Sequence, residues 1–332
     1  MKMRMTQLKT IADIQTGPFG SQLHKEDYVE TGTPIVTVEH LGNRVFTEQN
    51  LPRVSDSDKA RLIKYTLSTG DIVFSRVGSV DRCSYVDKSH DGWMFSGRCL
   101  RVRPTELVDS LYLYYYFCLE ETKQFVRNIA VGATMPSINT KLLGEVEIAL
   151  PDLNNQKRIA AVLSSLDDKI ENNQKLNDNL YEMVNAYYTS LFKDVECEMT
   201  TIGNYAERIY SGGTPTTSNA AYWDGAFGWF SSGETRNRFV ISTEKTITQA
   251  GIDNSSTKLA AKHDIVMASA GQGFTRGQTS MLLIDTYVNQ SVIVIHAERK
   301  VLPYLFWNLA NRYEELRAIS DSSSIRGSVT TK

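Results

Sequence analysis

Hydrophobic positions in the middle of the chain follow a helical pattern. Between Ile159 and Leu191 apolar residues recur at spacings of three and four, and neither Gly nor Pro occurs over residues 152–202. This periodicity predicts one apolar stripe along a single long helix. Pro151 precedes the pattern, and Asp152 or Asn154 can cap the first turn. With about 40 residues at about 1.5 Å each, the helix is expected to form a rod of roughly 60 Å.

This stripe needs a covering surface. Its members, the predicted helix-pairing residues, are Ile159, Leu163, Leu166, Ile170, Asn173, Leu176, Leu180, Val184, Tyr187 and Leu191. Asn173 stands where an apolar residue is expected, a substitution that can fix the register of paired helices. The stripe could pack on the chain's own domains, but two domains at the ends of a long helix cannot easily cover it. We therefore favour a partner helix from this chain, from a second copy or from another subunit.

On both sides of the helix, short apolar runs between Gly, Ser, Asn and Thr clusters predict strands and loops. The two sides repeat each other. Residues 70–78 (GDIVFSRVG) align with residues 263–271 (HDIVMASAG), and residues 99–102 align with residues 292–295 at the same offset. A repeat of this length indicates a duplicated domain, because the units of solenoid proteins are much shorter.

The predicted fold class is α+β, with two similar mixed α/β domains separated by a long coiled-coil-type helix. The expected domains are residues 1–150, a helical spacer at 151–198, and residues 199–332. One helix is expected near the end of each copy, around residues 110–128 and 302–319.

Composition narrows the class of protein. The 332 residues are 41% hydrophobic and 22% charged, with a net charge of −2, which is ordinary for a soluble globular protein. The apolar runs are too short for a membrane span and the N-terminus leads into no signal core, so we predict a cytoplasmic protein. The four cysteines are far apart without C-x-x-C spacing, which favours free buried thiols over a metal site.

Several motifs resemble one known family. Residues 148–160 read IALPDLNNQKRIA and residues 163–171 read LSSLDDKIE. Both are similar to the central conserved region of the specificity subunit of type I restriction-modification enzymes. Residues 8–20 (LKTIADIQTGPFG) and 202–215 (IGNYAERIYSGGTP) resemble the starts of its target-recognition domains. The Gly-Asp-Ile-Val strand is a further family feature, and the resemblance covers nearly the whole chain.

The resemblance implies a non-catalytic DNA reader. Each target-recognition domain would read one half-site of a bipartite sequence in double-stranded DNA, and the helix would set the gap between them. The subunit would join two adenine-N6 methyltransferase subunits and, for cleavage, a motor-nuclease subunit. The chain itself would then need no cofactor or metal, because S-adenosylmethionine, ATP and Mg²⁺ would belong to the partner subunits.

The second copy departs from the family pattern. After Lys141 the first copy continues into the helix, whereas the second copy stops at Lys332. The family's closing segment and second conserved helix are therefore expected to be absent. We expect the unpaired stripe either to drive self-association or to bind a partner subunit.

Polar and glycine-rich loops supply the candidate DNA contacts, because Arg, Lys, Asn and Gln read base edges while Ser, Thr and backbone amides hold phosphates. In the first copy the candidates are Gly17, Gly20, Ser21, Lys25, Arg44, Arg76, Ser79, Arg82 and Arg98. In the second copy they are Ser211, Thr214, Thr216, Arg236, Asn237, Arg238, Gln272, Arg276 and Gln278. For any single residue, a solvated side chain or a local turn contact is the competing interpretation.

Two other functions were weighed. As an enzyme, the chain would be a methyltransferase or nuclease, but it contains no Asn/Asp-Pro-Pro-aromatic tetrapeptide, no Walker loop and no H-E-x-x-H. We therefore predict no catalytic residues. The second alternative is a coiled-coil assembly module whose domains do not read DNA independently.

Overall fold

The computed structural model describes residues 3–18, 20–270 and 275–322. The chain divides into two compact units between Asn177 and Asp178, called here the first unit and the second unit. One uninterrupted helix of 40 residues, Leu153–Phe192, contributes to both. This helix lies within the stretch that the apolar periodicity assigned to the spacer.

The first unit is built from short strands and four helices of its own among the described residues. Its strands are β1 (Arg4–Gln7), β2 (Ala12–Thr16), β3 (Tyr28–Val29), β4 (Thr33–Val36), β5 (Arg53–Val54), β6 (Ile72–Ser75), β7 (Cys83–Tyr85), β8 (Met94–Phe95), β9 (Cys99–Pro104) and β10 (Glu147–Leu150). Its helices are α1 (Asp56–Arg61), α2 (Ser110–Cys118), α3 (Glu120–Ile129) and α4 (Thr140–Gly144), and the long helix is α5. The strands form sheets in the orders β2-β9-β6-β7, β3-β5-β4-β8 and β1-β10.

The second unit has the same kind of composition. Its strands are β11 (Ala206–Ser211), β12 (Trp223–Phe230), β13 (Phe239–Val240), β14 (Lys245–Ile247), β15 (Lys258–Ala260), β16 (Ile265–Ala268), β17 (Thr279–Leu282), β18 (Thr286–Val288) and β19 (Val292–Ala297). Its helices are α6 (Gln249–Asp253), α7 (Leu302–Asn311) and α8 (Tyr313–Ser322). The sheet orders are β11-β19-β16-β17-β13 and β14-β12-β18-β15.

The two units repeat one sheet. The order β2-β9-β6-β7 reappears as β11-β19-β16-β17, and every neighbouring pair in both is antiparallel. In the smaller sheets, β4 runs parallel to β8 just as β12 runs parallel to β18. The predicted fold class, two similar mixed α/β domains with a long helix between their sequences, is confirmed.

A central strand in each unit separates two hydrophobic clusters. In β6, Ile72 and Phe74 pack with α2 and Val73 faces the other cluster. In β16, Met267 packs with α7 and Val266 faces the opposite side. Successive side chains of a strand alternate between faces, so a continuous apolar run is stable only when both faces are covered. This double burial explains why the repeat is clearest at these two strands.

The helix expected around residues 110–128 is in fact two helices. Leu119 lies between α2 and α3 with an extended backbone (φ −62°, ψ 134°). Glu120 and Glu121 occupy the first turn of α3, where acidic side chains interact favourably with the helix dipole. A similar interruption at Arg312 separates α7 from α8. The prediction of one helix per copy is wrong because apolar spacing does not report a local restart.

The four cysteines form no disulfides, and they differ in burial. Cys83 and Cys99 are buried, Cys118 is half-buried and Cys197 is exposed. The expectation of buried thiols is wrong for Cys197, which follows the end of α5 in a stretch of exposed residues. Across the described ranges, no three His, Cys, Asp or Glu side chains gather in a way that could hold a metal ion. None of the described helices is long and apolar enough to cross a membrane.

Candidate nucleic-acid interface

In the first unit, backbone contacts bring three candidate loops together at one end of the β2-β9-β6-β7 sheet. The Gly17 amide donates to the Cys99 carbonyl over 3.2 Å, and the Arg76 amide donates to the Arg98 carbonyl over 2.8 Å. A Cβ atom at Gly17 would lie 2.1 Å from the Ser96 carbonyl oxygen, so only glycine fits. These contacts bring Gly17, Arg76 and Arg98 to one end of the sheet, where Gly17 is buried, Arg76 is half-buried and Arg98 is exposed.

The second unit assembles the equivalent loops by equivalent contacts. The Gly212 amide donates to the Asn289 carbonyl over 3.2 Å, and the Ser269 amide donates to the Ser291 carbonyl over 2.9 Å. Thr214 Oγ1 donates to Gln290 Oε1 over 2.5 Å. Ser211, the last residue of β11, and Thr214 thus lie beside residues 289–291, which Ser269 at the end of β16 also contacts. The loop that follows β16 returns to the sheet through Gly277, whose φ of +84° suits glycine.

A loop that the sequence analysis did not select joins the first cluster. Val131 and Ser137 form a bridge that closes it, and the Gly78 amide donates to the Pro136 carbonyl over 2.8 Å. Val131 and Met135 are 63% and 65% exposed. Gly and Pro mark the segment as a turn, but no charged side chain drew attention to it.

Two of the candidate arginines contact α5. Arg44 Nη1 lies 2.5 Å from Asp168 Oδ1. Arg238 Nη1 lies 3.3 Å from Asp178 Oδ1, and its guanidinium carbon is 3.8 Å from the centre of the Tyr181 ring. DNA contact by either arginine remains a prediction, but it would have to compete with these partners.

The other candidates are dispersed over the two units. Arg82 donates to the Leu41 carbonyl, and Arg236 pairs with Glu244. Both arginines are exposed, as are Gly20, Ser21, Ser79, Thr216 and Asn237, whereas Arg276 and Gln278 are half-buried. The Oε1 atom of Gln278 is buried without a hydrogen bond. Lys25 begins a short helical turn, and Gln272 lies outside the described residues.

The predicted helix-pairing stripe lies at the surface of α5. Leu166, Ile170 and Tyr187 are 53%, 54% and 64% exposed. The helix instead turns another face toward the first unit, where Gln156 and Ala160 are buried. Of the stripe, Ile159 packs against the core of the first unit, whereas the apolar residues from Leu163 to Leu191 are exposed. Pairing of this exposed part with another helix stays a prediction.

Each unit also contains a buried carboxylate beneath its main sheet. Asp71 accepts two hydrogen bonds from Arg103, both 2.7 Å, and one from the Ser68 amide. The hydrogen bond to Asp71 raises the pKa of Arg103. At the corresponding place in the second unit, Asp264 is 2.6 Å from His296 Nδ1 and accepts from the Ala261 amide. These contacts link neighbouring strands of the sheet in each unit.

Comparison with known proteins agrees with this geometry. The family model described as "Type I restriction modification DNA specificity domain" matches residues 2–182. The type I restriction enzyme MjaIX specificity subunit of Methanocaldococcus jannaschii is 38% identical over 93 residues, 28% of this chain and 22% of that protein. The HindI specificity subunit of Haemophilus influenzae is 27% identical over 137 residues, 40% of this chain and 30% of that protein. The chain thus spans well under half the length of these relatives.

The fold has a solved counterpart. The crystal structure of the type I restriction-modification S subunit from M. genitalium matches with a TM-score of 0.62 at 16% identity, covering 99% of this chain and 83% of that one. This likeness shows the fold alone. Because the family match extends over residues 2–182, which is more than half of the chain, the protein belongs to the family of type I restriction modification DNA specificity domains.

Proposed function

We propose that this chain is the sequence-specific DNA-binding subunit of a type I restriction-modification system, and that its two units read the two halves of a bipartite target. The observation that carries the proposal is the duplicated loop cluster. Gly17, Arg76 and Arg98 gather at one end of the main sheet, and Ser211 and Thr214 gather at the equivalent end of its repeat. Arg, Ser and Thr on loops are typical side chains for base edges and phosphates.

Binding of the full-length chain to DNA duplexes tests this proposal. We expect affinity that falls steeply with salt and one bipartite sequence that is preferred over all others in a random library. Arg98→Ala should weaken binding, whereas Lys300→Ala, an exposed lysine paired with Glu298, should not. Equal affinity for all sequences would instead support the assembly module without independent DNA reading.

The proposal assigns the chemistry to partner subunits. Methyltransferase subunits would methylate adenine N6 with S-adenosylmethionine, and a motor-nuclease subunit would use ATP and Mg²⁺ to cleave DNA. This chain would act in the cytoplasm and hold none of these cofactors. Purified chain mixed with S-adenosylmethionine and DNA should therefore transfer no methyl group, and transfer without added subunits would contradict the assignment.

The exposed stripe of α5 supports assembly through a partner helix. Leu166 and Ile170 are more than half exposed on a helix of 40 residues, and apolar side chains at this spacing pair with a second helix. Replacing both with Glu should abolish self-association, or binding of a methyltransferase subunit, without unfolding either unit. Unchanged assembly by light scattering would reject the stripe as the contact.

A further inference from the structure

The two arginines that contact α5 occupy equivalent places in the repeat. The Arg44 carbonyl accepts from the Tyr85 amide of β7 over 2.7 Å, and the Arg238 carbonyl accepts from the Met281 amide of β17 over 3.0 Å. β7 and β17 hold the same position in their sheets. The backbone therefore presents one arginine beside the fourth strand of the main sheet in each unit, although β13 follows that strand in the second unit.

In the first unit, Arg44 meets α5 at a distance from the point where the helix begins. Besides Asp168, its Nη1 lies 3.7 Å from Glu171 Oε1 and 3.5 Å from the Ser164 carbonyl. The side chain is 19% exposed. The buried contacts of α5 in this unit, Gln156 and Ala160, lie nearer the start of the helix. Arg44 thus adds a second point of attachment one to three turns farther along. It shares this point with the Tyr115 hydroxyl, which donates to Asp167 Oδ2 over 2.7 Å.

The second unit shows the same arrangement with different chemistry. Near the end of α5, Tyr188 and Phe192 pack on Tyr304 with ring centres 6.2 and 5.4 Å apart. Arg238 meets the helix earlier, at Asp178 and over the Tyr181 ring. Here too the arginine contact lies farther from the junction between the helix and the rest of the unit, at Tyr181, on which Trp307 also packs with ring centres 4.7 Å apart.

A body attached to a rod at one point can pivot, whereas a second contact farther along fixes its tilt. Arginine suits this role because its planar guanidinium makes directional hydrogen bonds and stacks on aromatic rings. Ion pairs with exposed carboxylates add little to overall stability. The effect of these contacts is therefore to fix the orientation of each unit on the helix.

We propose that Arg44 and Arg238 are positioning residues that fix the tilt of each unit on α5 and thereby restrict the half-site spacing that the protein accepts. This inference rests on the proposed DNA-reading function. It differs from the role predicted for these residues by the sequence analysis, in which they would contact DNA themselves.

Selection of bound duplexes from a library with two half-sites and a variable spacer tests the proposal on the full-length chain. The unchanged protein should prefer one spacer length. Arg44→Ala and Arg238→Ala should each reduce that preference about tenfold against spacers one base pair shorter or longer, with the half-site sequences unchanged. Arg44→Lys should restore part of the preference, because it keeps the charge but not the planar fork.

Matched controls are available in both units. Arg61 pairs with Asp58 and Lys300 pairs with Glu298, both away from α5, and their replacement by Ala should leave the spacer preference intact. A charge exchange, Arg44→Asp with Asp168→Arg, should recover the preference that Arg44→Asp alone loses. This exchange keeps the test decisive if a single variant is poorly folded.

The outcomes are distinguishable. If the alanine variants selected different half-site sequences but the same spacer length, the arginines would be reading bases. This outcome would overturn the inference. An unaltered spacer preference in both alanine variants, or failure of the charge exchange, would also overturn it. If the unchanged protein selects no sequence at all, the proposed function fails instead.

Discussion

The two units share a backbone plan but stabilise it with different side chains. The Ser68 amide caps Asp71 in the first unit, and the Ala261 amide caps Asp264 in the second. The side chain beside the carboxylate is Arg103 in one unit and His296 in the other. The hydrogen bond from a backbone amide to the carboxylate is present in both copies, because the amide remains a donor when its side chain changes from Ser to Ala. Side-chain partners have diverged, and their differences can be measured.

The attachment of α5 differs in the same way. In the first unit, the α5 residues Gln156 and Ala160 are buried. In the second unit, the ring of Tyr181 on α5 packs on the Trp307 ring, with the ring centres 4.7 Å apart. Hydrogen bonds of a buried polar side chain therefore hold α5 to the first unit, and packing of aromatic rings holds it to the second. The two ends should therefore respond differently to truncation of a single side chain.

Removal of the buried carboxylates should give the largest difference. Asp71→Ala removes a buried carboxylate that accepts from Arg103 and from the Ser68 amide, and should destabilise the first unit by about 2–3 kcal/mol. Asp264→Ala should cost about 1–2 kcal/mol, because it removes a hydrogen bond to an imidazole and not the partner of a permanently charged guanidinium. Native-state hydrogen exchange in β6 and β16 measures each unit separately, which a single unfolding transition of a two-unit chain does not.

Asparagine variants provide the control for that comparison. Asp71→Asn and Asp264→Asn keep the shape and still accept from the Ser68 or Ala261 amide, so both should lose less than the alanine variants. Equal losses for the two alanine variants would mean that it does not matter whether Arg103 or His296 faces the carboxylate.

Truncation along α5 should give an intermediate effect. Gln156 Oε1 accepts from the Asp109 amide over 2.8 Å and its Nε2 donates to the Pro151 carbonyl over 2.9 Å, both in a buried setting. Gln156→Ala leaves two backbone groups unpaired and should cost about 1–3 kcal/mol. The matched variant is Asn185→Ala in the second unit, whose Oδ1 is buried without a hydrogen bond. It should change stability by less than about 0.5 kcal/mol, and a larger loss would contradict this account.

Replacing the thiols should have the smallest effect on stability, but the reactivity of the thiols should differ clearly. Cys83 faces Phe74 across β6 and β7, whereas Thr279 faces Met267 at the equivalent place in the second unit. The pKa of Cys118 is lowered to about 7, chiefly by a hydrogen bond with Cys83, although burial acts in the opposite direction. A hydrogen bond with Tyr114 and the positive charge of Lys123 lower it further. The pKa of Cys83 is raised well above its usual value.

Alkylation with iodoacetamide, followed by peptide mapping, checks this difference. Only the thiolate reacts, so labelling of Cys118 should be weak below pH 7 and should rise through about pH 7, while Cys83 stays unlabelled. Cys83→Ala should move the midpoint upward, because the hydrogen bond that lowers the pKa is gone. A midpoint that does not move would show that Cys83 is not the cause.

Much of the architecture follows from local pattern. The spacing from Ile159 to Leu191 gives a continuous helix because 3.6 residues make a turn whatever surrounds it. The repeat around Asp71 and Asp264 gives two similar sheets, because a strand buried on both faces tolerates few side chains. The break at Leu119 was missed, since apolar spacing continues across it.

The partners of individual side chains were settled only by the tertiary structure. Arg44 and Arg238 look like exposed loop arginines in the sequence, yet α5 provides their carboxylates from 124 and 60 positions away. The loop from Val131 to Ser137 joins the candidate interface through a contact with Gly78 that no local signal reports. Periodicity determines which residues share a face of α5, but only the packed units decide which face they cover, because contacts between distant segments depend on how the whole chain folds.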